Sequence, residues 1–414
     1  MQYLSVVEAL ERVIESVSLQ RVEVVKLEQS LGRVLAEDVQ ANRDLPPYDV
    51  SAMDGFAVRS VDMVEAPTIL EVVEDIRAGD MPIKSLQQGQ CARIMTGAPV
   101  PQGADAVIRV EETEALENER VQINSAVKRG NDIRPRGENM KNGDVVLASG
   151  TEITPGVIGI LATVKRAQIE VYRRPSVAIL STGDELEGLE EPIDPNKIPD
   201  ANSHALMAQV QALGIEPIML GIARDDPAEL REYLQRGLKF DVLLVSGGTS
   251  VGVHDYVRPT IESLGVKMKF WRVAMKPGHP MAFGTLGNSM IFGLPGNPVS
   301  SMVCFEQFVL PALRKLMGCR RLYRRAIIAK LTHDIKHRPG RTEFIRVVLN
   351  NKDGVYEAAS TGSQGSGILL SMAKADGLME VPAGSSGVSA GDQVKVMLLD
   401  GTVYQEEAGT EERA

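Results

Sequence analysis

The apolar positions change period along the chain. Residues 5–17 place Val6, Leu10, Val13, Ile14 and Val17 on one face of a 3.6-residue repeat, which predicts an amphipathic helix. From about 45 to 150 the pattern becomes short alternating runs cut by Gly and Pro, among them 68–73, 91–95, 106–109 and 144–147. That spacing predicts a small β-rich module. Residues 175 to about 318 read as strands at 176–180, 216–222 and 241–246, with helices at 201–213 and 256–264. Asp226-Pro227-Ala228-Glu229 supplies an N-cap, a proline at the first helical position and an acid three residues after the cap. This βαβα order predicts a parallel, doubly wound sheet whose ligands sit at the carboxyl ends of its strands. Beyond 321 the strands return at 326–331, 343–349, 354–359, 377–381 and 393–398, separated by turn residues, which predicts a small terminal β-barrel.

The predicted fold class is therefore multidomain α/β plus β. A chain of 414 residues exceeds what one core fills, so roughly two to four domains are expected. The divisions read as residues 1–45 with 146–174, an inserted module at 46–145, the α/β domain at 175–320, the barrel at 321–404 and an acidic tail at 405–414. There is no internal repeat.

Composition narrows the function classes. With 43% hydrophobic and 24% charged residues the chain reads as a soluble globular protein. A net charge of -10 and 4% aromatics argue against nucleic acid as a partner. Cys91, Cys304 and Cys319 form no CxxC pair, which fits reduced, buried thiols and a cytoplasmic location. Glu8, Glu11 and Glu15 interrupt the first apolar stretch, so no signal peptide is expected. No run approaches the ~18 apolar residues of a membrane helix.

Several loops stand out. Residues 49–57 (DVSAMDGFA) and 93–101 (RIMTGAPVP) read equally well as tight turns or as functional segments. STGDEL at 181–186 and SGGTSVG at 246–252 each follow a strand, where a Gly-rich turn lets backbone N–H groups close on an anion. Neither matches a dinucleotide or P-loop fingerprint. Carboxylates collect at the same edge, where hard oxygen ligands suit Mg²⁺. Asp226 reads as a helix cap, and Asp255 reads as a cap or a ligand. Glu185 and Asp225 read as functional. In the segment 271–280, Arg272 and Lys276 supply cations, and the helix start at 298–300 offers unpaired N–H groups, so an oxyanion could sit between them. The same Pro-Gly punctuation also suits a domain elbow. His279 reads as a surface or hydrogen-bonded residue.

Taken in order, SAMDGFAVR, RIMTGAPVP, RGEN, STGDEL, SGGTSVG, MKPGHP and GLPGNPVS resemble the molybdopterin molybdenumtransferase family, which includes the E domain of gephyrin and its plant counterpart. PGRTEFIR and TGSQGSG extend the resemblance to the terminal domain. It implies an elongated four-domain subunit in a homodimer, with the active site between subunits. It implies insertion of molybdenum from molybdate into the dithiolene of adenylylated molybdopterin, assisted by Mg²⁺ and releasing AMP. A molybdopterin adenylyltransferase and acceptor molybdoenzymes are the partners it implies.

By the same resemblance, Glu185, Asp225 and Asp255 surround the metal and the pyrophosphate. Ser246, Gly247, Gly248 and Ser250 cradle that anion, with Arg134 and Gly183 as further substrate contacts. Asp54 and Thr96 reach the site across the dimer. Lys276, Arg272, Pro298 and Ser300 meet molybdate or a phosphate, as do Arg346 and Ser366. Three positions depart from the family pattern: Asn139 replaces an Asp, and Arg272 and His279 replace lysines. The related adenylyltransferase would leave residues 1–170 and 321–414 without a place, and a binding scaffold would not need the acidic and basic site residues.

Overall fold

The computed structural model describes residues 3–19, 21–248 and 256–399. The first helix, Val6–Glu15, starts at a capping box in which Ser5 and Glu8 exchange hydrogen bonds. Its Ala9 and Val13 enter the core that also holds Val177, Phe292 and Phe305. This helix, grouped above with residues 1–45, therefore shares the core of the α/β domain and lies against its helical segment at 305–316. Residues 22–41 and 145–171 form a separate core around Leu35, Val39, Leu161 and Val171.

The β-rich module is a six-stranded sheet in the order Ala106–Arg109, Gly55–Val58, Gln90–Ile94, Thr68–Ile76, Arg120–Ile123, Thr113–Leu116. Phe56 and Val58 enter one core and Ala57 another, as the two-residue period of a strand requires. Cys91 is buried here, and burial pushes its thiol up to about 12. Cys319 is raised to about 11 and Cys304 is raised too, again by burial, and all three are free and buried as expected.

The α/β domain departs from the all-parallel expectation. Its strand order is Ile218–Ala223, Val177–Thr182, Val242–Ser246, Ser289–Leu294, Ala282–Leu286, Lys267–Phe270. The first four are parallel, Ala282–Leu286 runs against them, and Lys267–Phe270 pairs antiparallel with Ala282–Leu286. The cause is local. Gly287 at φ 57 makes a tight turn after Leu286, and a hairpin of that length can join only antiparallel strands.

In the terminal domain, Thr342–Lys352, Val355–Ser360, Ala326–Leu331, Gln393–Leu398 and Gly377–Val381 close on one another as a five-stranded barrel around Val347, Met379 and Val396. A sixth strand, Met275–Lys276, comes from the α/β domain and pairs in parallel with Thr342 and Glu343. That pairing stitches the two domains together beside the Pro-Gly segment. The tail at 405–414 lies outside the described residues. Among the described residues no helix is long and apolar enough to cross a membrane.

Candidate functional site

Parallel pairing aligns the carboxyl ends of three strands, with Thr182 opposite Ala223 and Ser181 opposite Ser246. The loops after them therefore meet at one edge. Gly183 has φ 144, and a Cβ there would lie 2.5 Å from the Glu185 carboxylate, which folds back over it. The Asp225 N–H donates to Asp184 Oδ1 at 3.2 Å, which ties the second acidic loop to the first. Asp226 accepts from the N–H groups of Ala228 and Glu229 and is the helix cap it was read to be.

The anion cradle is narrower than expected. The Gly247 N–H donates to the Leu294 carbonyl and the Gly183 N–H to the Ala223 carbonyl, each at 3.1 Å. Strand-end amides continue the ladder to the neighbouring strand, so these two are not offered to a ligand. What the glycines provide is close approach: a Cβ on Gly247 would sit 2.5 Å from the Thr182 carbonyl oxygen. Gly248 has φ 59 and would meet Val257. Ser250 and Asp255 lie outside the described residues.

Asn202, in the first turn of the helix Ala201–Gln211, was not singled out from the sequence. Its Nδ2 donates to Ser246 Oγ at 2.8 Å and to the Gly296 carbonyl at 2.7 Å. It thereby links the SGG loop to GLPGNPVS. A polar residue one turn into a helix carries no spacing signal, and only the tertiary fold reveals the link.

Beside that link lies a cleft of about 540 Å³ lined by Lys276, His279, Asn297, Ser300, Arg341 and Ser366, among others. Lys276, Ser300 and Ser366 are thus brought together as expected. Pro298 begins the helix Pro298–Cys304, but the Val299 N–H already donates to the Ser366 carbonyl at 3.2 Å, so that amide is not unpaired. Arg272 lies over the Tyr3 ring at 6.0 Å, and Tyr3 meets the His279 ring edge-on at 4.8 Å. His279 Nδ1 is 2.8 Å from the Val273 carbonyl oxygen, the hydrogen-bonded role expected of it.

Arg346 is a correction. It is 1% exposed, and its guanidinium donates to Ser371 Oγ, the Phe344 carbonyl and the Gly365 carbonyl. Burial lowers its pKa from the usual arginine value. A side chain enclosed this way shapes the 364–371 segment and does not reach into the cleft. The cation from this domain that lines the cleft is Arg341 of PGRTEFIR.

In the β-rich module, Asp54 Oδ1 accepts from the Thr96 N–H at 2.7 Å and from its hydroxyl at 2.8 Å. These bonds, the backbone one first, hold the Asp54 carboxyl below the usual range. Arg134 pairs with Glu138 at 2.8 Å and lines a second cleft, of about 400 Å³, with Tyr48, Gly97 and Pro99. Asn139 donates its backbone N–H to the Leu45 carbonyl at 2.9 Å.

Carboxylate oxygens are the kind of donor Mg²⁺ takes. Glu185 and Asp225 lie on loops linked through Asp184, and Mg²⁺ takes one or two carboxylates of this kind and completes its shell with water and substrate phosphate. Among the described residues no group of three or more His, Cys, Asp or Glu forms a fuller cage.

Three family models match the chain: "MoeA N-terminal region (domain I and II)" over residues 4–164, "Probable molybdopterin binding domain" over 178–315 and "MoeA C-terminal region (domain IV)" over 328–399. A molybdopterin molybdenumtransferase of Nostoc sp. is 40% identical over 92% of this chain and 90% of its own length. One from Bacillus subtilis is 36% identical over 98% of this chain and 95% of its own. The crystal structure of a molybdopterin biosynthesis moeA protein from Pyrococcus horikoshii covers 96% of this chain and all of its own, with 31% identity and a TM-score of 0.84. On this similarity across nearly its whole length, the chain belongs to the molybdopterin molybdenumtransferase family.

Proposed function

We propose that this chain inserts molybdenum from molybdate into the dithiolene of adenylylated molybdopterin, releasing AMP with the help of Mg²⁺. The observation that carries the reading is the cleft that joins Lys276, Ser300, Arg341 and Ser366 beside the linked STGDEL, SGG and GLPGNPVS loops. It offers a small oxyanion two cations and two hydroxyls next to strand ends suited to a larger phosphorylated ligand.

In this reading the residues divide the work. Lys276 and Arg341 neutralise molybdate while Ser300 and Ser366 orient it through their hydroxyls. The two dithiolene thiols each lose a proton as their sulfurs replace two oxo groups on molybdenum, and the two displaced oxygens leave as water with those protons and two more from solvent. A water adds to the adenylate phosphorus as its bond to the bridging pyrophosphate oxygen breaks, so AMP leaves with the new oxygen and the pterin keeps its phosphate. A Mg²⁺ held by Glu185 and Asp225 would supply charge neutralisation at that pyrophosphate. Ser246, fixed by Asn202, orients the nucleotide end. Asp54 and Thr96 belong to a module whose own cleft is lined by different residues, which suits a homodimer in which this module faces the site of a second copy.

The test is anaerobic AMP release from adenylylated molybdopterin with Mg²⁺, with and without molybdate. Molybdate-dependent release that yields cofactor able to activate an apo-molybdoenzyme supports the reading. Tight nucleotide binding with no release under either condition would overturn it.

A further inference from the structure

Lys276 does not stand alone in the cleft. Its Nζ lies 2.7 Å from Glu343 Oε1, across the seam where the α/β domain lends Met275–Lys276 to the barrel. The backbone holds the same register, because the Thr342 N–H donates to the Ala274 carbonyl at 3.0 Å. Glu343 itself is 6% exposed, and a carboxylate so enclosed must be partnered. Its other oxygen faces His337 Nε2 at 3.7 Å. That ring cannot swing aside: it is 2% exposed, with Nδ1 2.8 Å from the Ser385 carbonyl oxygen and Nε2 3.0 Å from that of Arg341. His337 therefore closes one side of Glu343, and Lys276 is the partner on the other.

A lysine ammonium has three N–H donors on a flexible stem. The Lys276 side chain is 50% exposed, so without an anchor its charge would range over the mouth of the cleft. We propose that Glu343, backed by His337, is the positioning residue for Lys276: it takes one N–H donor and leaves the other two aimed at the oxyanion. The barrel thus sets the oxyanion site of the neighbouring domain through one ion pair. This rests on the reading that the cleft takes molybdate.

The test compares molybdate KM, kcat and direct calorimetric molybdate binding in the full-length wild type, Lys276→Met, Glu343→Asp, Glu343→Gln and the two Glu343 variants combined with Lys276→Met. Thermal unfolding accompanies each. Glu343→Asp keeps the charge and withdraws it by one methylene, so it reads position. The expected result is a molybdate KM raised about tenfold in Glu343→Asp with kcat nearly kept, the scale of a small misplacement of a binding group. Glu343→Gln, which keeps the reach and an acceptor oxygen, recovers most of that loss, and neither substitution adds to Lys276→Met. A wild-type molybdate KM in Glu343→Asp, or effects that multiply in the Lys276→Met background, would overturn the positioning role. A Lys276→Met enzyme that binds molybdate as the wild type does would instead remove the oxyanion from this cleft, and the inference with it.

Discussion

The buried guanidinium of Arg346 donates from Nη2 to the carbonyl oxygen of Gly365 at 3.3 Å, one residue before Ser366 enters the cleft. The backbone of Arg346 holds the same segment, since its N–H donates to Gln364 Oε1 at 2.9 Å and its carbonyl accepts from Gln364 Nε2 at 3.2 Å. Replacing Arg346 with Met keeps these backbone bonds but leaves Ser371 Oγ and the Phe344 and Gly365 carbonyls without the guanidinium donors. The expected cost is about 2 kcal/mol of stability, read as a lower urea midpoint, together with a raised molybdate KM. An unchanged midpoint would show that the guanidinium does not hold the segment.

If the active site is shared between subunits, defects on opposite sides of it complement. Asp54→Ala and Lys276→Met are each expected to lose most of their activity as pure proteins when molybdate is held near the wild-type KM. Co-expressed with separate tags and purified through both, they are expected to recover about a quarter to a half of wild-type activity per dimer, because one of the two sites regains both groups. Recovery absent from a verified mixed dimer would place Asp54 and Lys276 in separate functions.

Asp225 approaches Asp184 through its backbone, and in the proposed reaction its carboxylate would hold Mg²⁺ together with Glu185. Asp225→Ala is expected to lower Mg²⁺-dependent AMP release by about a hundredfold while the unfolding midpoint stays close to that of the wild type. Chelation of divalent ions should silence the wild type in the same assay. Normal turnover in the variant would exclude Asp225 from the site.

Gly55 answers the question left open for the loop at 49–57. A Cβ there would lie 1.8 Å from the Ile108 carbonyl oxygen, in the strand paired with Gly55–Val58. Gly55→Ala is expected to destabilise the β-rich module by about 3 kcal/mol, seen as an early thermal transition. The glycine of this motif is required by strand packing, whereas the Asp54 beside it carries the functional candidate. A variant that melts like the wild type would refute this account.

The strands 326–331, 377–381 and 393–398 were read from the sequence with the bounds the structure shows, because turn residues cut them cleanly and their inward faces alternate. The N-terminal helix and the Asp226 cap were likewise legible, since each depends on neighbours within one turn. The motif loops were legible as chemistry, and the fold brings Lys276, Ser300 and Ser366 into one cleft. Less visible were the contacts between such segments. Gly247 and Gly183 look like anion donors until the neighbouring strand takes their amides. Arg346 looks like a free cation until the barrel buries it.

The amino-acid sequence alone thus determined the first helix, the terminal strands, the Asp226 cap and the motifs that carry the family resemblance, because periodicity, capping and turn chemistry act over a few residues, while strands 267–270, 282–286 and 289–294 escaped it. Only the tertiary structure decided that Glu343 and His337 stand behind Lys276, that Asn202 joins Ser246 to Gly296, and that Arg341 rather than Arg346 lines the cleft. Those relationships depend on which strands pair across the domain seam and on which polar groups burial forces into partnership, and neither is encoded in any single stretch of chain.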